Sequence, residues 1–208
     1  MPQRKTLSEY RTFVRRAARQ PSTVGAVLPT STPVAEAIAN VLPASGTPTV
    51  LELGPGTGAL SDAIRRRLPE GANHLAVEID PELAHYLRST KPWLRVVEGD
   101  ATDLGRLLSS VGITRVDAVV SSIPWTLLTP AKQRELLDET ARALTENGVF
   151  TAITYLTTLW RKNTAAFVRE LDQAFAEVLP RAAVWRNVPP ARIYVCRQPK
   201  NRLTRRAL

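Results

Sequence analysis

Apolar residues follow two rhythms along this chain. Short apolar runs of strand length alternate with stretches whose apolar positions return every three or four residues, the spacing of a helix face. Thr49–Leu53 reads as a strand and Ala59–Arg67 as a helix. The pairing repeats at Asn73–Ile79 and Pro81–Ser89, at Leu94–Val97 and Asp103–Ser110, at Val116–Ser121 and Pro130–Leu144, and at Val149–Thr154 and Thr164–Ala176. Such alternation with apolar strands predicts an α/β fold, a mostly parallel sheet with helices on both faces. Two further strand candidates, Ala182–Trp185 and Arg192–Cys196, lie close together. Parallel neighbours need a crossover of about a dozen residues, so this pair is expected as a C-terminal antiparallel hairpin that completes a seven-stranded sheet.

Ahead of this pattern, residues 4–20 show helical spacing. Leu7, Tyr10, Val14 and Ala17 share a face, Phe13 adjoins it, and Pro21 stops the helix. Such a helix either packs on the domain or lies in a membrane interface with its arginines on anionic lipid. A second helix is expected over Pro33–Val41, with the hydroxyl of Ser31 or Thr32 placed to cap it. The expected organisation is a basic amphipathic helix over 1–22, one domain over 23–199 and a basic tail over 200–208.

Charge sharpens this division. The chain carries +9 overall. Residues 1–20 set Arg4, Lys5, Arg11, Arg15, Arg16 and Arg19 against Glu9, a net of +5, and residues 180–208 hold eight basic side chains and no acidic one, which leaves the middle at −4. Basic ends suit an anionic partner, either lipid headgroups or nucleic acid phosphates, with plain solubility as the alternative. The longest apolar runs, among them Val116–Val120 and Val149–Ile153, are strand-sized. None approaches the ~20 residues of a membrane span. No apolar signal core opens the chain, so a cytoplasmic protein is expected, peripheral on the inner face of the membrane if the first helix is interfacial. Cys196 is the lone cysteine and reads as a small core residue, so neither an internal disulfide nor a cysteine-cluster metal site is expected, and no metal.

Each strand end carries polar chemistry, and ligands of open α/β sheets bind beyond those ends. Val50-Leu-Glu-Leu-Gly-Pro-Gly-Thr-Gly58 closes the first strand with a glycine loop. Gly54, Gly56 and Gly58 let the backbone approach a ligand, and the next helix points its amides there. The spacing is Gly-x-Gly-x-Gly, not the Gly-x-Gly-x-x-Gly of nucleotide-binding dehydrogenases, and the Gly-Lys-Ser/Thr of a P-loop is lacking. The second strand ends in Val77-Glu-Ile-Asp80. Glu78, with Ile79 beside it, is placed to accept ribose hydroxyls, whereas Asp80 before Pro81 suits a helix cap. After the third strand, Asp100 suits an adenine amino group and the Ala101 amide its ring. Any one of these carboxylates alone is as well explained by a cap or a solvated loop; three after successive strands are not.

The fourth strand runs through Ser121 into Ser122-Ile-Pro-Trp125. A side-chain oxygen and a backbone carbonyl there suit an N–H donor whose lone pair must be aimed, and the Trp125 ring suits a base or a cationic ammonium. The alternative is a strand-to-helix turn with a buried tryptophan. Tyr155, just past the fifth strand, is the best-placed proton acceptor, although its ordinary pKa is high. Otherwise the acceptor binds as its minor neutral form; His74 and His85 read as structural or surface residues.

Together these residues resemble the class I S-adenosylmethionine (SAM) dependent methyltransferases over about residues 45–155. The resemblance implies a Rossmann-like fold and SAM as cofactor. It implies Glu52 and Gly54–Gly58 at the methionine end, Glu78 and Ile79 at the ribose, Asp100 and Ala101 at the adenine, and Ser121 at the cofactor's edge. Ser122-Ile-Pro-Trp125 is similar to the Asn/Asp/Ser-x-Pro-aromatic motif of amino methyltransferases, which implies catalytic parts for Ser122, Trp125 and Tyr155. Val24-Gly-Ala-Val-Leu-Pro-Thr-Ser31 and Asn187-Val-Pro-Pro-Ala191 resemble the Val-Gly-Ala-x-x-Pro-Ser-Ser segment and Asn-x-Pro-Pro-Ala loop of bacterial phospholipid N-methyltransferases. Thr30 stands where that family often has serine. This likeness implies stepwise methylation of phosphatidylethanolamine and its mono- and dimethyl forms towards phosphatidylcholine, by a monomer on an anionic membrane surface. Thr30, Ser31, Arg186, Asn187 and Arg192 would then meet the headgroup. The alternative is the rRNA adenine dimethyltransferases, whose motif is usually Asn-Leu/Ile-Pro-Tyr and whose partner is nucleic acid. Those enzymes usually carry a further C-terminal helical domain, where about ten residues follow the last strand here. Other amines, ornithine lipids among them, and a non-catalytic lipid- or RNA-binding protein remain as further readings; the intact cofactor set opposes the last.

Overall fold

A computed structural model describes residues 31–159, 162–187 and 189–200. The expected helix over 4–20, Thr30 and residues 201–208 of the basic tail lie outside the described residues. Within them the chain alternates as its apolar rhythm predicts. Helix α1 (Thr32–Ala39) leads into β1 (Thr49–Leu53), α2 (Ala59–Arg67), β2 (Asn73–Glu78), α3 (Pro81–Thr90), β3 (Arg95–Glu98) and α4 (Leu104–Ser110). Then follow β4 (Val116–Ser121), α5 (Pro130–Ala143), β5 (Leu144–Tyr155), α6 (Lys162–Ala174), β6 (Phe175–Pro180) and β7 (Ala191–Pro199). The strands form one sheet in the order β3-β2-β1-β4-β5-β7-β6, with β1 to β5 parallel and β7 antiparallel to both its neighbours.

Side chains alternate between the two faces of this sheet, and each face has its own core. Leu51, Leu53, Leu75, Val77, Val119 and Phe150 are buried with Leu104, Leu107, Leu136, Leu137, Phe167 and Leu171 from α4, α5 and α6. Val50, Ala118, Val120 and Val149 face the other way, against Val34 and Ile38 of α1 and Leu60 and Ile64 of α2. Helices begin where their caps dictate. Asp80 accepts from the amides of Glu82 (2.9 Å) and Leu83 (3.3 Å) ahead of α3, with Pro81 opening the helix, as its place before a proline predicts. Thr129 does the same for α5 through the Lys132 amide. Ser31 stands at the cap position of α1 but makes no side-chain cap bond, and its hydroxyl is buried without a partner among the described residues.

The hairpin is the one element the rhythm misplaced. It was expected from Ala182–Trp185 and Arg192–Cys196; β6 instead spans Phe175–Pro180, and 182–185 belong to the connection, touching β7 only through a bridge from Val184 to Ala191. The expected helix over 164–176 correspondingly stops at Ala174. The reason is tertiary. The Phe175 ring stacks on Phe150 at 5.5 Å, and Val178 opposes Cys196 across the sheet, so these residues gain partners that a longer helix would forfeit. Phe150 stands at the centre of an aromatic cluster with Trp125 and Phe175. Replacing Phe150 by alanine should lower the unfolding free energy by about 3–5 kcal/mol in urea titrations, whereas alanine at the exposed Tyr86 should change it by less than about 0.5 kcal/mol.

Candidate functional site

Strand order reverses beside β1: β2 and β3 follow on one side, β4 and β5 on the other. Connections diverge at such a point and leave a crevice beyond the carboxyl ends of β1 and β4. Backbone bonds stitch the strand ends together just before they part. The Gly54 amide donates to the Val77 carbonyl (3.0 Å), the Ser122 amide to the Leu53 carbonyl (2.9 Å) and the Gly99 amide to the Glu78 carbonyl (2.9 Å).

The glycine loop bends over this crevice. Gly56 has φ +60°, and the position a Cβ would take there meets nothing within 4 Å, so the backbone borders open space. Gly58, at φ +76°, begins α2; a Cβ there would lie 2.3 Å from the Lys91 side chain and 2.9 Å from that of Leu87. Both demands exclude a side chain.

Two buried carboxylates stand at the loop, one tied to it and one to the helix after it. Glu78 is 2% exposed; one oxygen accepts from the Gly56 amide (3.1 Å), the other from the Asp80 amide (2.9 Å). Burial pushes its carboxyl above the ordinary value of 4.5, and the amides of Asp80, Gly56 and Ile79 oppose that rise. Each oxygen keeps a second acceptor site. Glu52, on β1, is fully buried. Its Oε2 accepts from the Ser61 hydroxyl at 2.6 Å and lies 3.5 Å from Nε2 of the buried His74, while its Oε1 has no partner among the described residues. A third carboxylate follows β3. Asp100 Oδ1 accepts from the amide (2.9 Å) and hydroxyl (2.8 Å) of Thr102, whereas its Oδ2 is buried without a partner. Thus Asp100 is both a cap and an open acceptor. Ile79 and Ala101, the other two candidates here, are half-buried.

These orphaned oxygens test the fit to SAM. Leaving a buried carboxylate oxygen unpaired costs about 1–3 kcal/mol or more, so such atoms call for donors. SAM brings an ammonium, ribose hydroxyls and an adenine amino group, and the crevice offers acceptors on three successive strand ends. The donor and acceptor sets match.

The acceptor side departs from the motif reading. Trp125 is 1% exposed. Its ring stacks on Phe167 at 4.8 Å and meets Phe150 edge-on, and its Nε1 donates to the Ser121 hydroxyl at 3.0 Å. With Phe167 on one face, Phe150 edge-on and the ring 1% exposed, no open surface is left for stacking an acceptor. Ser121 is likewise spent on the loop, also accepting from the Ile123 amide (3.4 Å). Ser122 stays half-buried beyond the strand end. Gln133 was not legible as part of the site. Fully buried on α5, it donates to the carbonyls of Trp125 (2.8 Å), Leu128 (3.4 Å) and Asn163 (3.0 Å) and so fixes the loop after β4. A glutamine on a helix ordinarily faces water, and nothing in its sequence surroundings marks it. His74 was taken as structural, and its place beside Glu52 follows only from the pairing of β1 with β2, which aligns it with Val50.

Tyr155 closes β5. Burial pushes its phenol above the ordinary value of 10.0, which keeps it protonated near neutrality. Ser31 and Asn187, expected together at the substrate, do meet: the Ser31 amide donates to Asn187 Oδ1 at 3.1 Å, and Asn187 Nδ2 donates to the Pro189 carbonyl at 2.7 Å. Arg186 is exposed on the same loop. Arg192 is half-buried at the start of β7, opposite Thr154, with its Nε buried and unpartnered among the described residues.

Comparison with known proteins agrees with this geometry. Residues 50–148 match the family model described as a methyltransferase domain. An ornithine lipid N-methyltransferase from Singulisphaera acidiphila is 27% identical over 92% of this chain and 97% of its own length. Ribosomal RNA small subunit methyltransferase A from Chlorobaculum parvum is 37% identical over 50% of this chain, which spans 38% of that enzyme. Among solved structures, a TehB-like SAM-dependent methyltransferase from Corynebacterium glutamicum aligns over 92% of this chain and 99% of its own, with TM-score 0.56 and 17% identity. Aeropyrum pernix fibrillarin with natively bound SAM aligns over 80% of this chain and 74% of its own, with TM-score 0.61 and 15% identity. These structures share the fold.

Affinity for the cofactor should depend on the charge of Glu78. Because burial raises its pKa, lowering the pH should protonate it, and weaken SAM binding, from above 4.5. Calorimetric SAM titrations down the pH scale check this, and Glu78→Gln should remove the dependence along with about tenfold or more of the affinity. Gly58→Ala should lower stability by about 1–3 kcal/mol in denaturant titrations, because it combines a left-handed backbone with a collision.

Proposed function

We propose that this chain, a SAM-dependent methyltransferase, methylates the amine of an aminolipid headgroup, phosphatidylethanolamine or a close relative. The observation that carries the reading is Arg192, whose buried Nε has no acceptor among the described residues and which lies opposite Thr154, itself buried with a hydroxyl that has no partner among them. A buried guanidinium donor calls for an anion, and the phosphodiester of a headgroup supplies one with matching geometry. A nucleic acid phosphate has the same chemistry. What favours lipid is the likeness over nearly full length to an enzyme of ornithine lipids, while the likeness to ribosomal RNA methyltransferase A covers 38% of the Chlorobaculum parvum enzyme.

On this reading Glu52 Oε1 would hold the methionine ammonium of SAM, Glu78 the ribose hydroxyls, and Asp100 Oδ2 with the Ala101 amide the adenine. Bound SAM supplies an electrophilic methyl group on a sulfonium. The chain's own residues bring the nucleophile to it and keep water out. The Ser122 hydroxyl and the Ile123 carbonyl would accept from the amine and aim its lone pair. Gln133 and Trp125 act as positioning residues, since the carbonyl bonds of one and the packed ring of the other fix the loop that carries those acceptors. Tyr155, whose phenol burial keeps protonated, would take no proton. The headgroup ammonium therefore gives its proton to solvent and enters as the neutral amine.

Labelled SAM offered with phosphatidylethanolamine vesicles and, in parallel, with RNA tests the acceptor; label in RNA alone overturns the proposal. The initial rate on lipid should rise about tenfold per pH unit from about pH 7 to about pH 9, following ionisation of an alkylamine with pKa near ~10. A plateau at neutral pH would reveal an enzymic base. Arg192→Gln should raise the half-saturating lipid about tenfold while leaving SAM affinity unchanged.

A further inference from the structure

Among the described residues three large hydrophobic side chains are exposed: Tyr86, Leu179 and Trp185. Tyr86 stands apart on α3. Leu179 lies on the edge strand β6 at 42% exposure, opposite Val195, and Trp185 lies in the connection to β7 at 73%, beside the bridge from Val184 to Ala191. This connection is tied down throughout. The Arg181 amide donates to the Ile193 carbonyl (2.8 Å), Val184 bridges Ala191, and the Leu156 amide, one residue past β5, donates to the Pro190 carbonyl (2.8 Å). Asn187, 4% exposed, clasps Ser31 at its base. An exposed tryptophan on a tethered loop is a presented group.

Charge agrees with the apolar signal. Residues 181–192 carry Arg181, Arg186 and Arg192 and no acidic side chain. Arg181 and Arg186 flank the exposed Trp185 and are themselves exposed. Topology fixes where this patch points. β7 begins beside the end of β5, with Tyr155 opposite Ala191, so the connection overhangs the carboxyl edge of the sheet, where Ser122 lies beyond β4.

We propose that this connection, with Trp185 projecting from it, is a surface by which the enzyme lies on an anionic phospholipid bilayer, acceptor edge towards the lipid. It takes its partner from the aminolipid reading above and adds where contact is made. Tryptophan favours the headgroup boundary because its ring is apolar and its N–H finds a partner there. Arginines beside it meet lipid phosphates. The aminolipid reading favours lipid over RNA as the occupant, because this connection overhangs the edge of the sheet where the acceptor would bind.

The test uses the full chain with vesicles of phosphatidylcholine alone and of phosphatidylcholine mixed with phosphatidylglycerol. Wild-type tryptophan emission should shift to the blue on the mixed vesicles, and Trp185→Ala should remove most of that shift and weaken sedimentation with them about tenfold. Arg181→Ala should weaken binding to the mixed vesicles only, less so in high salt. Unchanged SAM affinity by calorimetry establishes that both variants are folded, and Tyr86→Ala should bind as wild type. Equal vesicle binding by wild type and Trp185→Ala overturns the proposal. So does an emission that vesicles leave unmoved, or a Trp185→Ala defect confined to RNA binding or self-association. The two readings fail separately. If Trp185→Ala loses vesicle binding but label never enters lipid, the aminolipid reading falls and the surface stands. If lipid is methylated and binding ignores Trp185, the surface falls and the aminolipid reading stands.

Discussion

A buried carboxylate held by two backbone amides underlies the site. Glu78 at the end of β2 accepts from Gly56 on one side and Asp80 on the other. A charge this deep is costly unless its oxygens are satisfied, and the two amides provide that. In doing so they fix the path of the glycine loop and the start of α3 from a single side chain. The loop's left-handed backbone, its closeness to Lys91 and the open space at Gly56 all depend on this tie. Burial that raises the Glu78 pKa is thus the counterpart of the loop's rigidity.

The remaining polar groups divide into spent and open ones. Ser121, Asp80 and Gln133 have their hydrogen bonds directed at the frame. Glu52 Oε1, Asp100 Oδ2, the Ser31 hydroxyl and Arg192 Nε are buried without partners among the described residues. A fold tolerates such costs where a ligand relieves them. The open acceptors lie on β1 and just after β3, whereas the open arginine begins β7, so donor-seeking and acceptor-seeking groups are segregated along the sheet.

Position along the sheet joins the acceptor site to the surface. Because β7 runs antiparallel, it starts at the carboxyl edge, and its leading connection must overhang the place where β4 and β5 end. Parallel topology would have sent this segment to the far edge. The same reversal therefore brings both Arg192 and the connection that carries Trp185 to the carboxyl edge of the sheet.

Much of this was legible in the residues themselves. Strand and helix positions from 49 to 144 follow local apolar periodicity, and their observed bounds fall within a few residues of it. The glycine loop, the Asp80 cap and the carboxylates after three strands were also legible, since turn chemistry and spacing are local properties. Tertiary partners decided the rest. Phe175 became a strand residue because it stacks on Phe150, and 182–185 became a connection because the register of β7 was already taken. Trp125 looked like an exposed recognition ring and is core, because Phe167, distant in sequence, covers it. Gln133 and His74 joined the site through neighbours that no sequence window contains. Local pattern determines which way a segment bends and what chemistry it carries. Which of those groups are consumed by packing and which are left for a ligand depends on contacts between distant segments, and only the folded chain brings those together.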